Sequence, residues 1–197
     1  MNERYIEIHT PKDVDQRIRQ LASEITASHA EDNPLFVVLL RGGMPFASQL
    51  MREIARQAPD YNPELDYMTT SRYGDSQQPN PEAKIVNDIS PSTEVLDRPV
   101  IILDDVLDMG ETARTVRDHI INLGARSVEL AVLIEKDAPR TVDIKAAYVG
   151  FKAEDAWLVG MGMDDGAVAK ESRRWDASIS KVVPLDDDLP PQLSIPS

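Results

Sequence analysis

Apolar residues recur every three or four positions over residues 11–29, at Val14, Ile18, Leu21 and Ile25, the spacing of one buried helix face. Thr10 and Pro11 precede them as a cap and a first-turn residue, which predicts a helix over 11–29. The pattern then changes. Phe36-Val37-Val38-Leu39-Leu40 is unbroken and bounded by Asn33-Pro34 and Arg41-Gly42-Gly43, which predicts a strand buried on both faces. Helical spacing resumes over 44–57 through Phe46, Leu50 and Ile54. Val100–Leu103, Val128–Ile134 and Ala147–Phe151 predict further buried strands, and the amphipathic stretch from Thr112 to Leu123, stopped by Gly124, a helix. Strands alternating with helices predict an α/β fold whose mostly parallel sheet is flanked by helices. Residues 71–97 are polar and carry Gly74, Gln77-Gln78, Pro79, Pro81 and Pro91. They read as a loop with room for a short strand at Lys84–Asn87, and a loop of that length is either functional or hides an element the pattern does not show. Pro184 to Ser197, with four prolines and Asp186-Asp187-Asp188, reads as a flexible tail behind a single domain over 1–183.

Composition narrows the chemistry. The 197 residues include 21 Lys+Arg against 34 Asp+Glu, a formal net charge of −13, and no cysteine. Disulfides, thiolate zinc sites and cysteine nucleophiles are therefore excluded. The N-terminus lacks the apolar core of a signal peptide, and runs such as Leu35–Leu40 are too short to cross a bilayer, so a cytoplasmic protein without a membrane partner is expected. The acidic field disfavours a nucleic-acid partner. A small anionic substrate would need local attraction, from backbone amides or a divalent metal.

The strongest chemical signal is Val100-Ile101-Ile102-Leu103-Asp104-Asp105-Val106-Leu107-Asp108-Met109-Gly110-Glu111-Thr112. A buried strand ends in two adjacent carboxylates, then a turn with a third carboxylate and a glycine, then a helix start. In open α/β folds ligands bind at the C-terminal edge of the sheet, and a helix N-terminus offers free N–H groups and a favourable dipole to a phosphate. Gly110 permits close backbone approach and Thr112 adds a hydroxyl. Carboxylates beside such an anion site suit ribose hydroxyls or a hydrated magnesium.

This segment resembles the phosphoribosyl-pyrophosphate (PRPP) signature of the type I phosphoribosyltransferases, and further matches are most like the hypoxanthine-guanine branch. Val38-Leu39-Leu40-Arg41-Gly42-Gly43 resembles that family's pyrophosphate loop, and Ser71-Arg72-Tyr73-Gly74 the start of its mobile loop. Leu133 to Arg140 resembles its base-contacting strand end, and Tyr148-Val149-Gly150-Phe151 with Trp157 to Asp164 completes the set in family order.

The resemblance implies a core over about 34–151 and a small hood made from the N-terminal residues and about 152–183. It implies that Asp104 and Asp105 hold the ribose hydroxyls directly or through Mg2+, and that Asp108 is the general base or proton shuttle near N7 of the purine. Asp108, Met109, Gly110, Glu111 and Thr112 would form the 5′-phosphate turn. The Arg41–Gly42 peptide, often cis in the family, would present its backbone with Gly43 to pyrophosphate. Lys136 would donate to the 6-oxo group, Trp157 would stack on the base and the Leu158 backbone meet its edge. Asp164 would bind a second magnesium and Lys170 pyrophosphate, while the loop at Arg72 and Tyr73 would close and exclude water. A lysine donor implies hypoxanthine, guanine or xanthine rather than adenine. The implied activity is transfer of the 5-phosphoribosyl group from PRPP to N9 of a 6-oxopurine by a homo-oligomer, dimer or tetramer.

Two departures bear on rate. Met109 and Glu111 stand where relatives carry a hydroxyl residue and lysine, and Arg72 stands where serine is usual. A transferase for xanthine or a pyrimidine, and a PRPP-binding regulator with little turnover, are the alternatives these departures leave open.

Overall fold

The computed structural model describes residues 4–73, 79–166, 168, 169 and 171–183, of which 72, 73 and 79–82 are described in their backbone alone. Six strands form the main sheet: β2 (Leu35–Leu40), β3 (Glu64–Tyr73), β4 (Pro79–Asn87), β5 (Pro99–Leu107), β6 (Ser127–Asp137) and β7 (Tyr148–Glu154). Their order is β4-β3-β2-β5-β6-β7, all parallel except the antiparallel edge strand β4. A smaller antiparallel sheet, β1-β9-β8, joins β1 (Tyr5–His9) to β8 (Leu158–Val159) and β9 (Ile179–Val182). The mostly parallel, helix-flanked sheet expected from the apolar pattern is present. Among the described residues no helix is long and apolar enough to cross a membrane.

Helix α1 (Pro11–Ser28) and helix α2 (Met44–Gln57) cover one face, burying Val14, Ile18, Leu21, Phe46 and Leu50 against Phe36, Val38, Ile101 and Leu103. Helix α3 (Glu111–Asn122) covers the other, with Val116 and Ile120 against Val37, Val100, Ile102 and Val132. The central strands are apolar throughout because each residue meets a helix on one face or the other. Thr10 caps α1 as expected, accepting from the Asp13 N–H at 3.2 Å while Asp13 accepts from the Thr10 N–H at 3.0 Å. Thr10→Ala removes half of this reciprocal cap, so stability should fall by about 1 kcal/mol, read as a few degrees of Tm in thermal unfolding.

Several boundaries move. β5 extends to Leu107 and β6 to Asp137, past the ends of their apolar cores at Leu103 and Ile134. Parallel pairing continues between them, Asp104 opposite Val132 and Leu107 opposite Glu135, so the strands carry polar residues up to the edge of the site. The polar stretch from 71 is not one loop. Its start ends β3, and Pro79 to Asn87 form β4, an edge strand where proline is tolerated because one row of N–H groups has no ladder partner. Residues 74–78 and the tail over 184–197 lie outside the described residues.

β2 and β5 are sheet neighbours whose connections run to opposite sides, β2 through α2 to β3 and β5 through α3 to β6. This is a topological switch point, where the loops after two strands part and leave a crevice at their C-terminal ends.

Candidate active site

The crevice is built from three turns. After β2 the chain passes through a cis Leu40–Arg41 peptide into Gly42 and Gly43, the latter at the start of α2. The family resemblance placed the unusual bond one residue later, at Arg41–Gly42; the cis bond is Leu40–Arg41. Gly42 is required sterically. A Cβ there would lie 2.2 Å from an Asp105 carboxylate oxygen, so the turn after β2 presses its backbone onto the acid of β5.

After β5, Asp104, Asp105, Val106, Leu107, Asp108, Gly110, Thr112 and Ala113 line a cavity of about 250 Å³. Gly110 turns with φ +92°, and among the described residues no side chain caps the start of α3, whose first-turn amides and dipole favour an anion. Glu111 is absent from the cavity wall. Its carboxylate accepts from the Thr141 hydroxyl at 2.7 Å, and the Met109 carbonyl accepts from the same hydroxyl at 3.1 Å. Met109 itself is exposed. Neither Met109 nor Glu111, the departures in the phosphate turn, lines the cradle with its side chain.

Asp104 is half-buried; Asp105 is buried, and burial pushes its carboxyl above the ordinary value despite a side-chain hydrogen bond shared with Asp104, one donated by the Val106 N–H and the field of Arg174. The three aspartates share the cavity without forming a cage. Among the described residues no three His, Cys, Asp or Glu side chains converge on a metal position.

A second cavity, of about 190 Å³, adjoins the first through Asp105, Val106 and Asp108, and is completed by Lys136, Trp157, Leu158, Met163, Asp164 and Arg174. Lys136 is not a solvated lysine. Its side chain is 11% exposed and its ammonium lies 3.1 Å from Asp108 and 3.7 Å from Asp155. Trp157 is 58% exposed, so it is not a core residue; its indole N–H donates to the Asp164 carbonyl at 3.2 Å. Leu158, the next residue, is buried. Asp164 sits 2.9 Å from Arg174 and accepts the Glu171 N–H at 3.3 Å. Of the other residues singled out, Arg72 and Tyr73 close β3 in the backbone description, and Lys170 lies outside the described residues.

Other contributors have no pattern of their own. Arg140 donates to the Asp108 carbonyl and pairs with Glu135 at 2.8 Å, so with Thr141 it braces the turn from the neighbouring strand end. Gly162, at φ +113°, packs on the Gly42 carbonyl, which an added Cβ would meet at 1.9 Å. Arg174 donates to the Gly162 carbonyl and to Glu171, and Glu171 also pairs with Arg41. Burial works against the charge of Glu171, but hydrogen bonds from Arg174 and Arg41 outweigh it and hold its carboxyl below the ordinary value. Asp165, 1% exposed, anchors this segment to β1 by accepting from the Tyr5 hydroxyl at 2.9 Å.

Comparison with known proteins agrees with this layout. A phosphoribosyl transferase domain model matches residues 5–166. A bifunctional TilS/HprT protein of Listeria innocua is 38% identical over 152 residues, covering 77% of this chain but only 22% of the Listeria protein, so the chain spans about a fifth of that relative's length. The hypoxanthine-guanine phosphoribosyltransferase of Streptococcus mutans is 33% identical over 80% of this chain and 83% of its own. A solved hypoxanthine phosphoribosyltransferase from Staphylococcus aureus superposes with a TM-score of 0.79 at 26% identity, covering 91% of both chains.

Proposed function

Since the chain belongs to the phosphoribosyltransferase family, we propose that it transfers the 5-phosphoribosyl group of PRPP to N9 of a 6-oxopurine, hypoxanthine or guanine, releasing pyrophosphate. The observation that carries this reading is the pair of adjoining cavities meeting at Asp108, one walled by acids and an uncapped helix start, the other by Lys136 and Trp157. In this reading 1–183 is one transferase domain acting as a homo-oligomer in the cytoplasm, with its core over about 34–151 and a hood from the remaining segments.

Each wall has a chemical task. The α3 amides and the Thr112 hydroxyl receive the 5′-phosphate without importing a cationic side chain, which suits a chain of net charge −13. Asp104 and Asp105 face the ribose hydroxyls. The buried Asp105, held above its ordinary pKa by desolvation, is the kind of carboxylate that a cation or a pair of hydroxyl donors relieves. The donor set therefore fits magnesium in its usual mode, with one or two carboxylates plus substrate oxygens and water, rather than an all-protein cage. Asp104 and Asp105 would hold one ion and Asp164 a second, and magnesium would supply neutralisation of the departing pyrophosphate. The reaction passes through a centre of oxocarbenium character, so charge placement rather than a strong nucleophile is what the site must provide.

The base lies between Trp157 and the sheet edge, with the Lys136 ammonium donating to its 6-oxo oxygen and Asp108 taking the proton from the imidazole ring. The Lys136 ammonium, 3.1 Å from Asp108, offers donors and no acceptor, which disfavours a 6-amino group. Lys136→Met should raise the KM for a 6-oxopurine by about 10- to 100-fold, the cost of a lost charged hydrogen bond, with a smaller change in the KM for PRPP. Steady-state kinetics against both substrates reads this.

A panel of bases with PRPP and magnesium tests the proposal as a whole. Hypoxanthine and guanine should yield nucleotide; failure with every 6-oxopurine rejects it. The regulator alternative drew its motive from Met109 and Glu111, whose side chains do not line the phosphate cradle, so the enzymatic reading is the one the geometry favours.

A further inference from the structure

Glu171 has no task in the chemistry above, yet its surroundings are those of a ligand rather than of a surface carboxylate. One oxygen takes a hydrogen bond from the guanidinium of Arg41, on the turn after β2. The other takes one from Arg174, whose side chain is 13% exposed and which also touches Asp164 and the Gly162 carbonyl. The residue sits at φ +65°, a left-handed conformation that is strained for a non-glycine residue and persists only where neighbours impose it. Two guanidiniums from distant segments thus converge on one carboxylate between the turn after β2 and the loop bearing Asp164. Guanidinium groups recognise phosphate oxygens as readily as carboxylate oxygens.

We propose that Glu171 is an internal stand-in for the pyrophosphoryl group of PRPP: it holds Arg41 and Arg174 in place before substrate arrives and gives both up to the incoming diphosphate. The proposal rests on the reading of the crevice as a PRPP site. It assigns to Glu171 the role of a built-in competitor. Whatever fraction of molecules has Glu171 seated on the two arginines must open before the diphosphate binds, so the apparent affinity is reduced by that fraction. The same competition returns when the reaction ends, since Glu171 can displace product pyrophosphate from cations it already knows how to hold.

The test is Glu171→Gln, with Glu171→Gly as a second variant that removes the carboxylate and also relieves the left-handed strain. Calorimetric titration with inorganic pyrophosphate, and separately with PRPP, at fixed magnesium chloride should show binding tightened by about fivefold in both variants, the size of a partly exposed ion pair. The KM for PRPP should fall in parallel and the KM for the base should not move. In an Arg41→Ala background the gain should shrink towards none, because one of the contested cations is gone. Unchanged or weakened pyrophosphate binding in the variants overturns the proposal. So does an equal gain with and without Arg41, which would be a field effect of removing any negative charge. If the wild type makes no nucleotide from any base, the transferase reading falls, while the pyrophosphate titrations still decide the role of Glu171; a wild type that binds neither pyrophosphate nor PRPP overturns both.

Discussion

Asp108→Asn is expected to lower kcat by about 10²- to 10⁴-fold, the usual worth of a positioned general base, while leaving the Kd for PRPP nearly unchanged. The separation follows from how the residue is held. The Asp108 carboxylate accepts from Lys136 at 3.1 Å, and an asparagine amide oxygen accepts the same bond; Lys136 also keeps Asp155 at 3.7 Å. The lysine therefore stays near its place, and the base-facing wall with it. The backbone of the turn is held independently of the side chain, by Arg140 on the Asp108 carbonyl and Thr141 on the Met109 carbonyl. The phosphate cradle should survive the substitution, and what is lost is the capacity to take a proton. Calorimetry with PRPP beside saturating-substrate kinetics separates the two quantities. An equal loss of turnover and PRPP affinity would contradict the proton-transfer role and make Asp108 a structural member of the cradle. Asp108→Ala goes further: it strips Lys136 of its nearer partner, so the KM for the base should rise in addition.

What could be read from the chain and what could not divide along physical lines. The central strands and helices were legible because burial on both faces writes itself into the residues: Phe36 to Leu40 and Val100 to Leu103 are apolar at every position since each meets a helix. β3 was missed and β4 was read only at its end, Lys84–Asn87, because neither alternation nor a continuous apolar run marks them and the edge tolerates Pro79 and Pro81. β1 and β9 were missed for a different reason: each has a handful of residues, and their pairing spans most of the chain, from Tyr5 to Val182. The acids and glycines of the site stood out because Asp104, Asp105 and Asp108 end an apolar strand, an arrangement that needs a partner. Arg140, Glu171 and Arg174 did not stand out. They reach the crevice from loops, as single charged residues in a chain where 28% of residues are charged, and only the fold brings them to Asp108, Arg41 and Asp164. The side-chain direction of Glu111 was likewise undecidable from spacing; the Thr141 hydroxyl settles it.

Gly162→Ala carries the other large expected effect, a rise in the KM for PRPP of about tenfold or more accompanied by a loss of about 5 °C in Tm. Gly162 holds φ +113°, where an L side chain is strained whatever the space around it, and its missing Cβ is what lets the Gly42 carbonyl approach. An added methyl would stand 1.9 Å from that oxygen and 3.2 Å from the Asp105 Cβ. Neither neighbour can swing aside as a long side chain would. Gly42 is itself pressed against the Asp105 carboxylate, with a virtual Cβ 2.2 Å from one of its oxygens, so the three groups form a stack with no slack. The collision must therefore push the turn after β2, and with it the Arg41 peptide, away from the end of β5. Strain alone would produce the thermal loss without the change in KM, so a control is needed. Gly124 provides it: φ is +94° there too, but the added Cβ meets only the Leu96 side chain, after α3 and away from the crevice. Gly124→Ala should lower Tm and leave the KM for PRPP near the wild-type value. If both variants raise that KM alike, general destabilisation explains Gly162, and the contact between Gly162 and Gly42 does not set the position of the turn that receives the diphosphate.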